Sequence, residues 1–393
     1  MLCAAAILFI TTGARQTLGL FVIPITQDTG MSIVSISFAL AIGQFVWGAV
    51  QPVFGAIADN HGSRPVVALG LVLLAIGMAL ASIAQSEWML MVSLGVISAA
   101  GAGAAGFSIL IGATSANLPP ERRSFASGFI NAGSSLGQFA YAPLAQGLIS
   151  AFGWATAMLT LAATALAGLP LLGKLGNASS SSSNAGVTAP GLREQIRIAL
   201  RDRSYLLIHA SYFTCGVHIA FLVTHLPGEV ALCGLPAGVS ATAIALIGLF
   251  NVAGSLGAGW LGNRVRMRNI LFFMYAARAV AIAVFLVAPR TPMTFYVFAA
   301  VLGVSWLATT PPTAGLVGKL FGTRYLATLF GLTLLSHQTG AFFGAWLGGV
   351  TISRFGDYGW MWIADMVLAA LAALFCLPIR EAKVVRPPTL AAA

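Results

Sequence analysis

Long apolar runs dominate the chain, and short polar stretches separate them without the polar/apolar alternation of membrane β-barrels. A helix needs about 20 apolar residues to cross the hydrocarbon of a bilayer. Because such runs satisfy their backbone there as helices, the pattern predicts an all-α integral membrane protein with twelve transmembrane helices. The predicted spans are 2–26, 34–58, 65–85, 88–115, 125–149, 154–173, 205–227, 238–262, 270–288, 293–317, 327–352 and 359–379.

One polar stretch is much longer than the others and leaves six spans on either side. It reads KLGNASSSSSNAGVTAPGLREQIRIALRDR, a Ser- and Gly-rich linker followed by a short basic amphipathic segment. The predicted organisation is a six-helix bundle at 1–173, a cytoplasmic linker with a basic surface helix at 174–203, a second six-helix bundle at 204–380 and a cytoplasmic tail at 381–393.

The two halves repeat one another along the chain. Gly13 and Gly137 recur as Gly216 and Gly340 at an offset of 203 residues. A single glycine match has little weight because 44 of the 393 residues are Gly, but a series at a nearly constant offset favours a duplicated bundle. Five further residues match at 203 or 204: Pro24 with Pro227, Gly55 with Gly259, Gly128 with Gly331, and Phe152-Gly153 with Phe355-Gly356.

Composition and charge agree with this architecture. Hydrophobic residues make up 58% of the chain and charged residues 8%, which excludes a soluble globular protein. With both termini in the cytoplasm, 16 of the 20 Lys and Arg residues fall in inner loops or the tail, as the positive-inside rule requires. Orientation in a bacterial cytoplasmic (inner) membrane therefore explains the net charge of +10 without nucleic acid binding. The first span is expected to be a retained helix and not a cleaved signal peptide.

Arg15 is a charge deep within the first span, where it costs roughly 2.5–3.5 kcal/mol on insertion scales. Of the ten acidic residues, only Asp365 is expected at a similar depth, on the peripheral last span. Arg15 is therefore expected to face a central cavity unpaired, where its planar guanidinium suits bidentate binding of a carboxylate. The alternative is that a carboxylate of the protein pairs with it.

The repeat offset places His218 where Arg15 stands in the first half, and His337 lies in a Gly-flanked polar break of the eleventh span. Both histidines are expected to face the cavity, where each is a candidate for carrying a coupling proton. Packing is the alternative for these and for the other polar candidates. The predicted substrate-binding set is Arg15, Gln16, Ser134, His218, Trp306, Thr310, His337 and Gln338.

Arg278 and Asp365 are expected to form a structural ion pair between the ninth and twelfth spans, because each buried charge needs a partner. A proton relay through Asp365 is the alternative. No metal site, disulfide or cofactor is expected, because the four cysteines lack metal-ligand spacing and lie mostly within predicted helices. They are Cys3, Cys215, Cys233 and Cys376.

The inner loop GAIADNHGSRP, between the second and third spans, resembles the G-x-x-x-D-x-x-G-x-R signature of the major facilitator superfamily. The second-half copy, GWLGNRVRMRN, is degenerate and has Asn263 where an acid could stand. The resemblance covers essentially the whole chain and implies two pseudo-two-fold related six-helix bundles that alternate access to a mid-membrane site. It also implies a conformational role, through charged contacts between helix ends, for Gly55, Asp59, Gly62 and Arg64.

Within that superfamily the chain is similar to the bacterial monocarboxylate porters, which include oxalate/formate antiporters. The similarity lies in GARQTLGLFVIPITQDTGMS, CGVHIAFLVTHLP and LLSHQTGAFFGAWLGG, in the first, seventh and eleventh spans. The antiporters carry a substrate-facing lysine in helix 11, which matches His337, and an arginine in helix 8, which matches the uncharged Ser255. We therefore expect Arg15 to take the role of the missing arginine from helix 1.

Together these patterns predict a monomeric secondary transporter of small organic anions, with monocarboxylates as the favoured class and proton coupling as an option. The alternative is a proton-driven exporter of drugs or other amphipathic compounds, although the fifth span, NAGSSLGQFAYAPLAQG, lacks the G-P-x-x-G-G signature of such exporters. A sensor or an enzyme is not expected, because nothing resembles a catalytic acid/base pair or a metal cluster.

Overall fold

The computed structural model describes residues 1–115, 120–175, 192–262, 264–322 and 326–382, and all regular secondary structure in these ranges is helical. Ten of the described segments are long and apolar enough to cross a membrane. This confirms the all-α membrane fold. Two differences account for the count of ten segments against twelve predicted spans. The segment Gly128–Lys174 covers the fifth and the sixth predicted span together, and the more polar eleventh span is not among the ten.

The first half is a series of helices with several breaks. One predicted span divides into α1, a 3-10 turn and α2, and the helix of the fifth and sixth spans bends at Gly153, whose φ is 81°. The elements are α1 (Leu2–Gln16), the 3-10 turn Leu18–Phe21, α2 (Val22–Thr29), α3 (Ile33–His61), α4 (Ser63–Ala81), α5 (Glu87–Leu90), the π-helix Met91–Ser98, α6 (Ala99–Ala104), α7 (Phe107–Ser115), α8 (Pro120–Leu166) and the 3-10 turn Leu169–Lys174.

A short amphipathic helix, α9 (Leu192–Arg201), precedes the second half; it carries exposed arginines and lies within the linker stretch predicted to form a basic surface helix. The tenth predicted span is broken between its two helices at residues 306–309. The remaining elements are α10 (Arg203–Leu232), α11 (Ala237–Leu261), α12 (Met267–Val287), α13 (Pro292–Ser305), α14 (Thr310–Phe321), α15 (Leu326–Phe355) and α16 (Gly359–Cys376).

Close helix crossings repeat between the halves at the positions that the sequence offset relates. A Cβ on Gly137 of α8 would overlap the backbone carbonyl of Phe9 on α1. A Cβ on Gly340 of α15 would likewise overlap the carbonyl of Phe213 on α10. Small residues allow membrane helices to approach this closely. The repeated glycines are therefore explained by equivalent crossings of α1 with α8 and of α10 with α15.

The helix breaks repeat as well. The gap between α6 and α7 falls at Ala105 and Gly106, and the same offset of 203 places these residues on Ala308 and Thr309, within the gap between α13 and α14. A broken helix frees backbone groups that other groups must satisfy inside a membrane. In the second half, the Leu307 N–H donates to Asn251 Oδ1 of α11 at 2.9 Å.

The two halves contact each other along two helix pairs. On one side, α3 packs against α15, with Gly48 against the Gln338 side chain and Ser37 against Gly349. On the other side, α8 packs against α11, where a Cβ on Gly248 would meet the α8 backbone. The space between the halves is therefore bounded by α3 and α15 on one side and by α8 and α11 on the other.

Candidate functional site

Arg15 lies in the last turn of α1, directly before the break in the first span. The carbonyl end of a helix carries partial negative charge and stabilises a nearby cation. Thr17 completes this helix end, because its hydroxyl donates to the carbonyl oxygens of Gly13 at 3.2 Å and Ala14 at 3.0 Å. The break therefore holds the arginine at a defined position within the membrane.

The half-buried guanidinium of Arg15 contacts two side chains of α3. Its Nη1 donates to Gln44 Oε1 at 2.6 Å, and its Cζ lies 4.3 Å from the centre of the Trp47 ring. Both contacts are with neutral groups, and the aromatic face stabilises the cation. Among the residues that the structure describes, Arg15 has no acidic partner within ion-pairing distance.

Arg15 borders a small cavity of about 20 Å³ at the junction of the two halves. Val223 and Thr224 of α10 contribute one wall, and Gly19 of the first half packs directly against the Val223 carbonyl. A space of this size holds about one water, so little room is left in this cavity beside the guanidinium in this conformation. The lining residues are Arg15, Leu18, Gly19, Leu40, Gly43, Gln44, Leu94, Ser98, Ala99, Val223 and Thr224.

A larger cavity of about 220 Å³ lies next to this one, and Thr224 lines both. Its walls come from α2, α3, α10 and α15, so it also lies between the halves. The Tyr358 hydroxyl at its edge contacts His225 Nδ1 at 3.5 Å. Burial, together with the Glu229 carboxylate, raises the pKa of the Tyr358 phenol, so the hydroxyl remains a hydrogen-bond donor at neutral pH.

His218 does not border the Arg15 cavity but contacts Asp365 of α16 inside the second half. His218 Nδ1 lies 2.5 Å from Asp365 Oδ2, and each side chain is 1% exposed. The expected ion pair of Arg278 with Asp365 is therefore wrong. Arg278 instead donates to the Ser305 carbonyl at 2.7 Å and the Trp306 carbonyl at 3.3 Å, which the break after α13 frees.

Of the other predicted residues of the second half, Trp306 lies beside His218, and His337, Gln338 and Thr310 contact one another or Tyr212. Gln338 Nε2 contacts His337 Nδ1 at 3.0 Å, and the Trp306 ring lies 5.8 Å from the His218 ring. The Thr310 hydroxyl contacts the Tyr212 hydroxyl at 3.1 Å. We call the following residues the second-half cluster: Tyr212, Cys215, His218, Arg278, Trp306, Thr310, His337 and Asp365.

The predicted set thus divides into two places, with Arg15 between the halves and most of its second-half members in that cluster. Gln338 lies between these two places: it contacts His337 of the cluster, and its side chain also packs against Gly48 of α3 in the first half. Gln16 and Ser134 are buried, at 3% and 4% exposure, and are not among the residues lining the Arg15 cavity. Their predicted contact with a substrate stays a prediction.

Ser255, at the position matched to a helix-8 arginine, belongs to a neutral hydrogen-bonded ladder between the halves. The Asn131 amide donates to Ser255 Oγ at 3.2 Å, and the Asn251 amide donates to Ser135 Oγ at 2.7 Å. Asn251 Oδ1 also accepts the hydrogen bond from the Leu307 N–H in the break of the tenth span. Sequence reasoning missed this asparagine, although an amide within the apolar run GLFNVAG was a usable signal.

Comparison with known proteins identifies the family. The Major Facilitator Superfamily model matches residues 4–345. The chain belongs to the Major Facilitator Superfamily. It is 29% identical to monocarboxylate transporter 13 of Rattus norvegicus, over 93% of this chain and 85% of that protein. It is 22% identical to the oxalate:formate antiporter of Oxalobacter formigenes, over 91% and 85%. A stretch of 83 residues, 21% of either chain, is 31% identical to multidrug resistance protein MdtH of Photorhabdus laumondii. These findings confirm the monocarboxylate and oxalate/formate branch of the superfamily, and both the family and these relatives indicate a transporter.

The superfamily signature loop makes matching contacts in both halves. Arg64 Nε donates to the Leu175 carbonyl at 2.7 Å, and Arg268 Nη1 donates to the carbonyls of Leu377 and Ile379 at 3.1 Å each. Arg64 and Arg268 are related by an offset of 204. The second-half loop, which reads as degenerate, therefore retains its arginine contact with the end of the last helix of its bundle.

The other signature residues are less fully described. Gly55 lies within α3, and Gly62 has a φ of 89°, a left-handed conformation that favours glycine and lets α3 turn into α4. The side chain of Asp59 lies outside the described part of the structure. A conformational role for the four signature residues stays a prediction.

Replacing Arg268 with alanine is expected to change the transport rate more than the half-saturation concentration. The variant loses both hydrogen bonds to the end of α16, and such contacts shift a conformational equilibrium by about 0.5–2 kcal/mol, or roughly two- to thirtyfold. Initial rates in proteoliposomes measure the effect. Arg264→Ala is the control, because Arg264 lies in the same loop but stacks on Trp260 at 4.0 Å. Equal behaviour of the two variants would contradict the prediction.

Proposed function

We propose that this transporter carries small organic anions, with monocarboxylates as the substrate class, and that Arg15 is the charge partner of the substrate carboxylate. The observation that carries the proposal is the half-buried guanidinium at the junction of the halves, with neutral Gln44 and Trp47 as its contacts. The monocarboxylate transporter and oxalate:formate antiporter among the relatives support the same class.

The chemistry of Arg15 suits an anion that arrives and leaves. A guanidinium presents five N–H donors in a planar fork, which matches the two oxygens of a carboxylate. A carboxylate of the protein at this place would compete with the substrate, whereas the Gln44 amide holds the arginine in position without neutralising it. The Trp47 face limits water on one side of the cation and strengthens its attraction for an anion.

Alternating access would act on the contacts between the bundles at 1–173 and 204–380. The Arg15 cavity has walls from both halves, so a movement of one bundle against the other would open it to either side of the membrane. One chain supplies both halves, and the functional unit in this proposal is a monomer. Both termini face the cytoplasm of a bacterial inner membrane, as the distribution of basic residues favours.

The second candidate is a proton-driven exporter of drugs or other amphipathic compounds. It is favoured by the local similarity to multidrug resistance protein MdtH, which spans about a fifth of this chain. An exporter of cationic compounds needs negative charge in its pathway, whereas the charge bordering the Arg15 cavity is positive. The organic-anion proposal therefore accounts better for the site.

Uptake by proteoliposomes tests the substrate class. A panel of labelled short-chain monocarboxylates and a panel of lipophilic cations are offered to the same preparation, with and without an inward proton gradient. We expect saturable monocarboxylate uptake, competition by other monocarboxylates and no movement of the cations. Stimulation by the proton gradient would support proton-coupled symport. Cation movement without carboxylate uptake would overturn the anion proposal and favour the exporter.

A further inference from the structure

The His218–Asp365 pair is a buried acid/base unit that the proposed anion site does not use. It joins α10 to α16 within the second half, and both side chains are almost completely enclosed by protein. A neutral helix contact would hold these helices without the cost of burying ionisable groups. Two charged or titratable side chains besides Asp365 act on His218: Cys215 of α10 and Arg278 of α12, which contact each other. Tyr212 of α10, Tyr275 of α12 and His337 of α15 interact in turn with Cys215, and Cys376 of α16 interacts with Tyr275.

The hydrogen bond within the pair determines where a proton can bind. A carboxylate oxygen only accepts hydrogen bonds, so His218 Nδ1 carries the hydrogen that lies between the two groups. The basic nitrogen of the ring is then Nε2, which is buried and has no hydrogen-bond partner among the residues that the structure describes. Asp365 stabilises the imidazolium that forms when Nε2 takes up a proton, as an orienting carboxylate does for an acid/base histidine.

Binding of this proton changes the net charge buried inside the second half. With His218 neutral and Cys215 as a thiol, the negative charge of Asp365 balances the positive charge of Arg278, whose electrostatic influence reaches His218. Protonation of His218 leaves one net positive charge inside the low-dielectric second half. A substrate anion at the junction of the halves would offset that charge, and the proton and the anion would therefore favour each other's binding.

A continuous helix connects the two places. His218 and the cavity-lining Val223 and Thr224 all belong to α10. They are separated by five and six residues, or about 8–9 Å along the helix axis. A change in how α10 packs against α16 would therefore be transmitted directly to the wall of the Arg15 cavity.

We propose that the His218–Asp365 pair is a proton-binding site that couples proton movement to anion transport. In this assignment the proton binds at His218 Nε2, Asp365 is a positioning residue, and Arg278 sets the charge balance while holding the broken tenth span. The inference rests on the proposed function for its transport consequence, but the binding of the proton itself does not depend on which substrate is carried.

Transport measurements on Asp365→Asn and His218→Gln test the coupling. Both variants retain hydrogen-bonding side chains, and we expect each to exchange substrate across the membrane without a gradient. We expect stimulation of uptake by an inward proton gradient to fall by at least about fivefold, the lower end of typical coupling between two sites. His209→Gln is the matched control, because His209 lies on the same helix but contacts Ser336 of α15 at 2.6 Å. It should keep the full stimulation.

Proton binding is measured separately by nuclear magnetic resonance of 15N-labelled histidine in nanodiscs, without substrate. The His218 signal is assigned from its loss in His218→Gln, and its pH titration is compared between the wild type and Asp365→Asn. We expect a titration at Nε2 in the wild type that moves to lower pH in Asp365→Asn, because the imidazolium loses its carboxylate.

The two measurements separate failure of this inference from failure of the proposed function. An unchanged gradient response in both variants, or a His218 ring that does not titrate between pH 5 and pH 9, would overturn the coupling site even if carboxylates are transported. A titration that depends on Asp365, in a protein that moves no carboxylate, would support the proton site and overturn the proposed substrate class. If Asp365→Asn is poorly folded, the gradient response of His218→Gln and the pH titration of His218 in the wild type still test whether this is the coupling site.

Discussion

Replacing Arg15 with glutamine is expected to abolish saturable monocarboxylate uptake while the protein remains folded. The glutamine side chain can still hydrogen-bond to Gln44, but it offers the substrate no charge. Removing one member of a hydrogen-bonded charge pair costs about 2–5 kcal/mol, which corresponds to roughly a 30- to 5,000-fold loss. Because a charge within the membrane is itself unfavourable, the variant should be at least as stable as the wild type. Initial rates at equal reconstituted density and thermal unfolding in detergent measure the two effects.

Two further variants sharpen this experiment. Arg15→Lys keeps the charge but not the planar fork, and is expected to retain weak uptake with a raised half-saturation concentration. Arg290→Gln is the matched control: Arg290 also lies over an aromatic ring, that of Phe285 at 4.0 Å, but at a helix end beside Glu229. It should transport normally. Full uptake by Arg15→Gln would show that the arginine is structural and would remove the central residue of the proposed site.

The helical membrane architecture was accessible from sequence because it depends on long apolar runs and on a repeat. Glycines such as Gly137 and Gly340 were informative at a fixed offset because each lies where one helix backbone meets another. The breaks were not predicted. The stretch from Trp306 to Thr309 is as apolar as a continuous helix, and what stabilises its interruption is Asn251 and Arg278 on other helices.

The site was predictable in part, for a physical reason that Arg15 and His218 illustrate. A repeat relates two residues by depth in the membrane, but the direction of a side chain depends on its helix. Arg15 ends a broken helix and turns towards α3, whereas α10 continues through His218 and directs it to α16. The partner of Asp365 was mispredicted for a related reason, because the carbonyls that bind Arg278 exist only where the tenth span is broken.

Replacing Gly216 with alanine is expected to destabilise the second half strongly, although the change adds one methyl group. The new Cβ would overlap the His337 carbonyl oxygen and approach Ala341 N at 2.9 Å, and both are backbone atoms of α15. A backbone cannot rotate away as a side chain can, so α10 and α15 must separate along their crossing. Overpacking of this kind typically costs about 1–3 kcal/mol. Thermal unfolding of the purified protein in detergent measures the loss.

In the matched control, a glycine-to-alanine substitution is expected to raise stability instead of lowering it. Gly257 lies in α11, and a Cβ there meets nothing within 4 Å. Gly257→Ala should therefore gain from the higher helix propensity of alanine, by up to about 1 kcal/mol. Gly340→Ala should resemble Gly216→Ala, because its Cβ would overlap the Phe213 carbonyl at the same pair of helices. If Gly216→Ala and Gly257→Ala were equally stable, the close crossing of α10 and α15 would be refuted.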